Sequence, residues 1–372
     1  MGVLNFEKLP IGTLVGANRS TLDAVVGKGK PAEGYRGKVW RTRLIAELLR
    51  PLYNINAQRY ESLAKLPDGA NAPVFIIGHW RSGTTFVHNV LTQDRQFGYC
   101  TTYQTVFPYM MLWGYGPFRA LVKLFMPNAR ATDGIELGVD TPQEEEVALS
   151  NMTPLSYYHF LSYPSRMEHW REHALLLNDI TDAEREEWKN AIRQLVRITL
   201  HVQHKSRFLS KNPPHTARIK TLLELWPYAK FIYLVRNPYT VFESTRNFFT
   251  KTITSTTLEP FDSEAYELEV LRTYKALYER YEADKHLIPR GNLFEMRFED
   301  FEANPVEMTE RMYRQLRLGD FEKIRPDVEA YVGSKRGFRK NRYQYNPRTV
   351  DLVDEWCSEA IKQWNYRLIG QN

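Results

Sequence analysis

The chain has 372 residues, 43% hydrophobic and 25% charged, a balance that supports a sizeable buried core and excludes disordered and collagen-like chains. Lysine and arginine exceed aspartate and glutamate by six, and the isoelectric point near 9.0 points to a polyanionic partner: a nucleotide, a nucleic acid or an anionic membrane. Two distant cysteines, Cys100 and Cys357, exclude a disulfide framework and a cysteine zinc site and suggest a cytoplasmic protein.

The opening MGVLNFEKLP lacks a basic stretch followed by a long apolar run, and Phe6 stands where a myristoylation signal requires Ser or Thr, so no sorting signal is expected. Residues 1–70 read as a helical extension. From there short apolar runs alternate with amphipathic helical patterns, with no internal repeat, which predicts an α/β fold: a P-loop-like three-layer αβα core around a parallel sheet. The predicted strands are 74–77 (VFII), 207–210 (RFLS), 231–235 (FIYLV) and 293–298 (LFEMRF). Helices are expected at 84–93, 216–226, 238–249, 264–286, 305–316 and 349–364. Another starts near Thr181, where Thr181 and Glu184 form a capping box ahead of Trp188, Ile192, Leu195, Val196, Thr199 and Leu200 on one face. Residues 101–180, rich in aromatics, Pro and Met, follow no βα rhythm and read as a lid inserted into the core. The expected organisation is therefore one elaborated domain: extension 1–70, core 71–345 with the lid, and a C-terminal helix in 346–372. The greasiest stretch, 107–127, is broken by Gly114, Gly116, Pro117, Arg119 and Lys123, too interrupted for a membrane span, although it leaves open a contact with a membrane surface.

After the first strand, Gly78 and Gly83 bracket a loop that enters a helix at Thr84-Thr85. Such glycines let backbone amides converge on an anion at the positive end of the helix. The Walker pattern requires Lys after the second Gly, where it reaches the β/γ-phosphates. Here Thr84 takes that place and the cation is Arg81, inside the loop. A planar guanidinium fits phosphate or sulfate oxygens better than a metal-bridged triphosphate. The bland alternative is a structural strand-turn-helix with an incidental arginine. The strand 231–235 ends at Arg236, Pro238 opens a helix, and Ser244 falls on that helix, so a guanidinium and a hydroxyl can meet one phosphate at the carboxyl edge of a sheet. An ion-pair role for Arg236 is the competing account.

These two segments resemble those of the sulfotransferases that use 3′-phosphoadenosine 5′-phosphosulfate (PAPS). Arg81, Ser82, Gly83, Thr84 and Thr85 are similar to the family's 5′-phosphosulfate loop, and Arg236 and Ser244 to its 3′-phosphate motif. GHWRSGTT, TPQEEEVAL and SKNPPHTARI resemble bacterial-type members, so the likeness covers roughly residues 70 to 345. The resemblance implies PAPS as sulfonate donor, 3′,5′-ADP (PAP) as product and no metal. Arg81 in place of the lysine of cytosolic small-molecule enzymes is shared with the tyrosylprotein sulfotransferases. The late Lys335-Arg336-Gly337 resembles, in inverted order, a basic loop that closes on the 3′-phosphate in this family. A solvated basic face or a nucleic-acid patch are the other readings of 331–348.

Sulfonate transfer needs cations on the departing 5′-phosphate and a base for the acceptor proton. Arg81 supplies one cation. Lys211, directly after the strand 207–210 and matching a lysine of the tyrosylprotein enzymes, is the candidate for another. Glu144 and Glu146 are the leading candidates for the base, with His215 as rival. Their alternatives are stabilisation of a helix dipole for the glutamates and helix capping for His215. The aromatic density of the lid suits an apolar acceptor such as a sterol, another lipid alcohol or a phenol. No nucleic acid is expected as partner under this reading. A kinase-like P-loop enzyme and a non-catalytic nucleotide or nucleic-acid binding module are the alternatives.

Overall fold

The computed structural model describes residues 14–63, 71–125, 138–335 and 343–369, and the statements below concern these. They fall into two compact units, one drawn from 1–70, 99–205 and 248–264, the other from 71–98, 206–247 and 265–372.

The second unit holds a five-stranded sheet. Its strands are β1 (Val74–Gly78), β2 (Phe97–Gly98), β3 (Arg207–Lys211), β4 (Lys230–Val235) and β5 (Leu293–Arg297), in the order β2-β3-β1-β4-β5 and all parallel. Parallel strands covered on both faces read as unbroken apolar runs, which is why VFII and FIYLV stand out. Val74, Ile76, Leu209, Ile232 and Leu234 join the helix residues Val87, Val90 and Leu91 in one core. On the opposite face Phe75 stacks on Phe231 at 5.5 Å. The chain leaves β1 toward β3 and leaves β4 toward β5, so the switch point where such sheets bind ligands lies at the carboxyl ends of β1 and β4.

Three local features depart from the sequence expectation. The strand β2 is two residues long, too short to leave a periodic signal. The helix expected at 216–226 is a 3₁₀ turn, Pro213–Ala217, followed by a helix at Ile219–Leu225. Phe298, expected to end the last strand, opens the helix Phe298–Ala303 instead.

The first unit is helical. Within the described part of the N-terminal extension lie the helices Arg19–Gly29 and Arg36–Leu63. The capping box is formed: Thr181 Oγ1 accepts from Glu184 N and the Glu184 carboxylate accepts from Thr181 N. The helix it opens, Asp182–Gln203, buries the six residues expected on its apolar face. Segment 101–180 contains short helices, including Tyr115–Phe125 and Glu145–Met152, and its aromatic run is largely core: Tyr103, Phe107, Met110 and Met111 are buried with Tyr53 and Tyr60 of the 36–63 helix. Among the described residues no helix is long and apolar enough to cross a membrane.

Candidate active site

The register sets Gly78 opposite Leu234, so the loop after β1 and the segment after β4 leave the sheet side by side. Gly78 has φ 136°, and a Cβ there would lie 2.3 Å from the Leu234 carbonyl oxygen. Thr216 closes the start of the loop: its hydroxyl accepts from Gly78 N at 2.8 Å and donates to Gly78 O at 3.2 Å. Within the loop Ser82 Oγ donates to His79 O at 2.7 Å. The loop ends at Gly83, whose φ of 96° begins the helix Thr84–Leu91 and whose Cβ position is filled by the Phe298 ring, 2.1 Å away. Both glycines are therefore required by conformation and by space.

Arg81 has φ 64°, a left-handed backbone that costs a non-glycine residue about 1–3 kcal/mol and is held only by its surroundings. Those surroundings form a reciprocal clamp. Arg236 Nη1 donates to the Arg81 carbonyl at 3.1 Å, and Arg81 Nε donates to Ser244 Oγ at 3.0 Å. Ser244 sits on the helix Pro238–Thr256 that Arg236 leads into. Two guanidiniums and a nearly buried hydroxyl thus meet over the amino end of the 84–91 helix, where the first helical amides and the helix dipole also favour an anion. The Arg236 guanidinium packs 4.7 Å from the Phe298 ring centroid, and burial pulls its pKa below the usual arginine value, a cost that a bound anion offsets.

Nearby histidines are kept neutral. Burial lowers His79 to about 4, against a smaller opposing effect of its bond to the Trp80 carbonyl. Burial, followed by the Lys211 charge, holds His88 well below its ordinary range. Lys211 is the last residue of β3, paired with Ile76, and is buried. It therefore ends at the same sheet edge as the loop. His215, also buried, lies edge-on to Phe75 at 5.6 Å with Asn212 Nδ2 beside its ring nitrogens.

The remaining sequence candidates belong to other elements. In the helical unit Glu144 is the N-cap residue of the 145–152 helix and accepts from the Tyr158 hydroxyl. The buried Glu146 accepts from Ser156 Oγ at 2.9 Å and Tyr157 N at 2.8 Å. Lys335 caps the helix Arg325–Ser334, its ammonium 5.5 Å from the Tyr331 ring centroid, while Arg336 and Gly337 lie outside the described residues. Sequence reasoning missed Phe298 and Thr216. Their only signal was position, each just past the carboxyl end of a strand. Among the described residues no group of three His, Cys, Asp or Glu side chains is placed to hold a metal ion.

The site is that of an α/β protein whose glycine-bounded loop carries Thr84 where a nucleotide kinase carries lysine and holds its arginine, Arg81, inside the loop. Residues 73–322 match the profile of the sulfotransferase family, and the chain belongs to that family. It is 31% identical over 300 residues to the omega-hydroxy-beta-dihydromenaquinone-9 sulfotransferase Stf3 of Mycobacterium bovis, covering 80% of this chain and 76% of the relative. Two crystal structures share the fold at 14% identity. Sulfotransferase STF9 from Mycobacterium avium matches with a TM-score of 0.66 over 96% of this chain and 98% of its own. Sulfotransferase STF1 from Mycobacterium tuberculosis matches with 0.56 over 91% and 90%. The chain is accordingly a sulfotransferase, an enzyme that moves a sulfonate group.

Proposed function

We propose that this enzyme transfers sulfonate from PAPS to the hydroxyl of a hydrophobic small molecule, a lipid alcohol in the first place and a sterol or phenol next. The observation that carries the donor reading is the reciprocal clamp of Arg81, Arg236 and Ser244 around a glycine-bounded loop. Arg81 with the amides of Ser82, Gly83, Thr84 and Thr85 would hold the 5′-phosphosulfate, and Arg236 with Ser244 the 3′-phosphate. Bound there, PAPS supplies the sulfur–oxygen bond that breaks as the sulfonate passes to the acceptor. Arg81 neutralises charge growing on the leaving 5′-phosphate, and Lys211, at the same sheet edge, adds a second cation. Because protein cations do this, the reaction is proposed to run without a metal, and chelation with EDTA should leave the rate unchanged.

The base for the acceptor proton is drawn from Glu144, Glu146 and His215. Removing a positioned base costs about 10²–10⁴ in rate, so Glu144→Gln, Glu146→Gln and His215→Asn single out the group concerned. The hydrophobic acceptor is supported by the relative named for a hydroxylated menaquinone.

The first test is a thermal shift with 3′,5′-ADP against ATP–Mg²⁺. Ligand at about 100 times its dissociation constant stabilises by roughly 2.7 kcal/mol. Stabilisation by 3′,5′-ADP alone is expected, and stabilisation by ATP–Mg²⁺ alone would replace this reading with a kinase. A transfer assay with PAPS over lipid alcohols, sterols, phenols and glycans then tests the acceptor. Turnover confined to glycans would overturn the hydrophobic class.

A further inference from the structure

The helix Arg36–Leu63 is buried on one side, through Val39, Thr42, Ala46, Tyr53, Asn56 and Tyr60, and its other side is unusually apolar for a surface. Trp40, Leu44, Leu48 and Ile55 are exposed, Trp40 to 64% and Leu48 to 68%. At 100° per residue these four, with the exposed Pro51, fall within about 80° of arc, a continuous stripe along more than four turns. Other apolar side chains of the same unit are exposed as well. Asn56, on the buried side of the helix, binds the backbone at 112–113: its Oδ1 accepts from Leu112 N and Trp113 N, and its Nδ2 donates to Trp113 O. The indole so placed is itself exposed, and the helix it precedes, Tyr115–Phe125, presents Leu121 and Leu124, the latter 71% exposed.

Arginines line both margins of the stripe, Arg41 and Arg59 on one side, Arg36 and Arg50 on the other, all exposed. The helix carries six basic residues and two acidic ones. Of these, Arg36 and Arg50 lie 3.8 and 3.2 Å from Glu33 and Glu47 in ion pairs whose arginines are exposed, weak enough for a headgroup to exchange, while Arg119 of the second helix donates its Nε to Asp140 at 3.0 Å.

We infer that this face docks on an anionic lipid bilayer, with Trp40, Leu44, Leu48 and Ile55 entering the headgroup–acyl boundary and the flanking arginines meeting acidic headgroups. Tryptophan, leucine and arginine are the residue types of an interfacial helix, and the charge is complementary to the cytoplasmic leaflet. A second copy of the chain is a poorer occupant, because an isologous contact would bring these arginine rows against themselves. A nucleic acid would meet the charges and leave the stripe in water. The inference extends the lipid-acceptor reading, since a docked enzyme meets an acceptor that remains in the bilayer. It is tested apart from that reading, because vesicle binding requires neither donor nor acceptor.

The experiment is flotation of the full chain with phosphatidylglycerol–phosphatidylcholine vesicles and with phosphatidylcholine vesicles. The comparison variants are Trp40→Ser/Leu44→Gln/Leu48→Gln and Arg36→Gln/Arg41→Gln, with far-UV circular dichroism and a cooperative thermal transition as the check that each variant folds. Binding to the anionic vesicles, weaker in high salt, is expected, with a loss of at least about tenfold in the apolar variant and roughly fivefold per arginine in the basic one. Absence of binding, or binding equal in both vesicle types and all variants, would overturn the inference. So would a concentration-dependent dimer that the apolar variant abolishes, which would give the face to a second copy. Failure here with turnover of a detergent-dispersed lipid alcohol would leave the proposed function standing.

Discussion

Arg81 holds the site together twice, its strained carbonyl gripped by Arg236 and its side chain bound to Ser244. Arg81→Ala should lower kcat/KM by about 10³ while the far-UV spectrum is retained, because a preorganised cation on a leaving group accounts for a loss of that order. Arg81→Lys keeps the charge without the planar fork and should recover only part of the rate. Gly83→Ala tests the geometry: the new methyl meets the Phe298 ring in a backbone that disfavours any side chain. It should abolish stabilisation by 3′,5′-ADP, and Gly83→Ala/Phe298→Ala should restore it incompletely, since the ring is removed and the φ of 96° is not. Full recovery in the double variant would show that space alone selects glycine. These residues differ in legibility for a physical reason. Gly78, Arg81 and Gly83 fall within one short loop and spell their chemistry. Phe298 and Thr216 act because register brings distant strand ends together, Thr216 being 138 residues from the glycine it binds, and no local pattern records that.

At the level of elements, strands covered on both faces and helices with a strong start signal were legible. The Thr181–Glu184 box fixed the beginning of its helix. What remained obscure were elements whose existence depends on a partner, such as Phe97–Gly98, ordered by pairing with Arg207 and Phe208. The aromatic run of 101–125 shows the same limit: sequence density could not separate a pocket from a core, and Tyr103 and Phe107 are core. Two stability outcomes follow. Thr181→Ala should cost about 1 kcal/mol in denaturant unfolding, the usual loss of a helix cap. Ile76→Ala, in the central strand and fully buried, should cost about 2–5 kcal/mol, enough to lower expression.

Across the molecule, the buried histidines set an acid limit. His79 and His159 have folded-state values of about 4 against an ordinary 6.5, in both cases chiefly through burial, and His88 is shifted the same way. Unfolded, these rings take up protons at a pH where the folded rings do not. Each therefore contributes stability above pH 6.5 that is lost progressively as the pH falls toward 4. Melting temperature should be flat from neutrality upward and fall through that window, and His79→Gln should make the fall shallower. A curve unchanged down to pH 4 would contradict the burial of these rings.

The parallel register also has a consequence for the growing chain. β1 emerges early, yet both strands that flank it come far later, so the most apolar strand of the sheet waits while roughly 130 residues are synthesised. At about 5–20 residues per second that wait is on the order of ten seconds, long beside the microseconds of collapse. During it VFII is an unpaired strand edge in a nascent chain. Slower translation lengthens this exposure, whereas a chaperone that shields residues 74–78 removes it. Yield in a heterologous host should therefore respond more to chaperone supply than to induction strength.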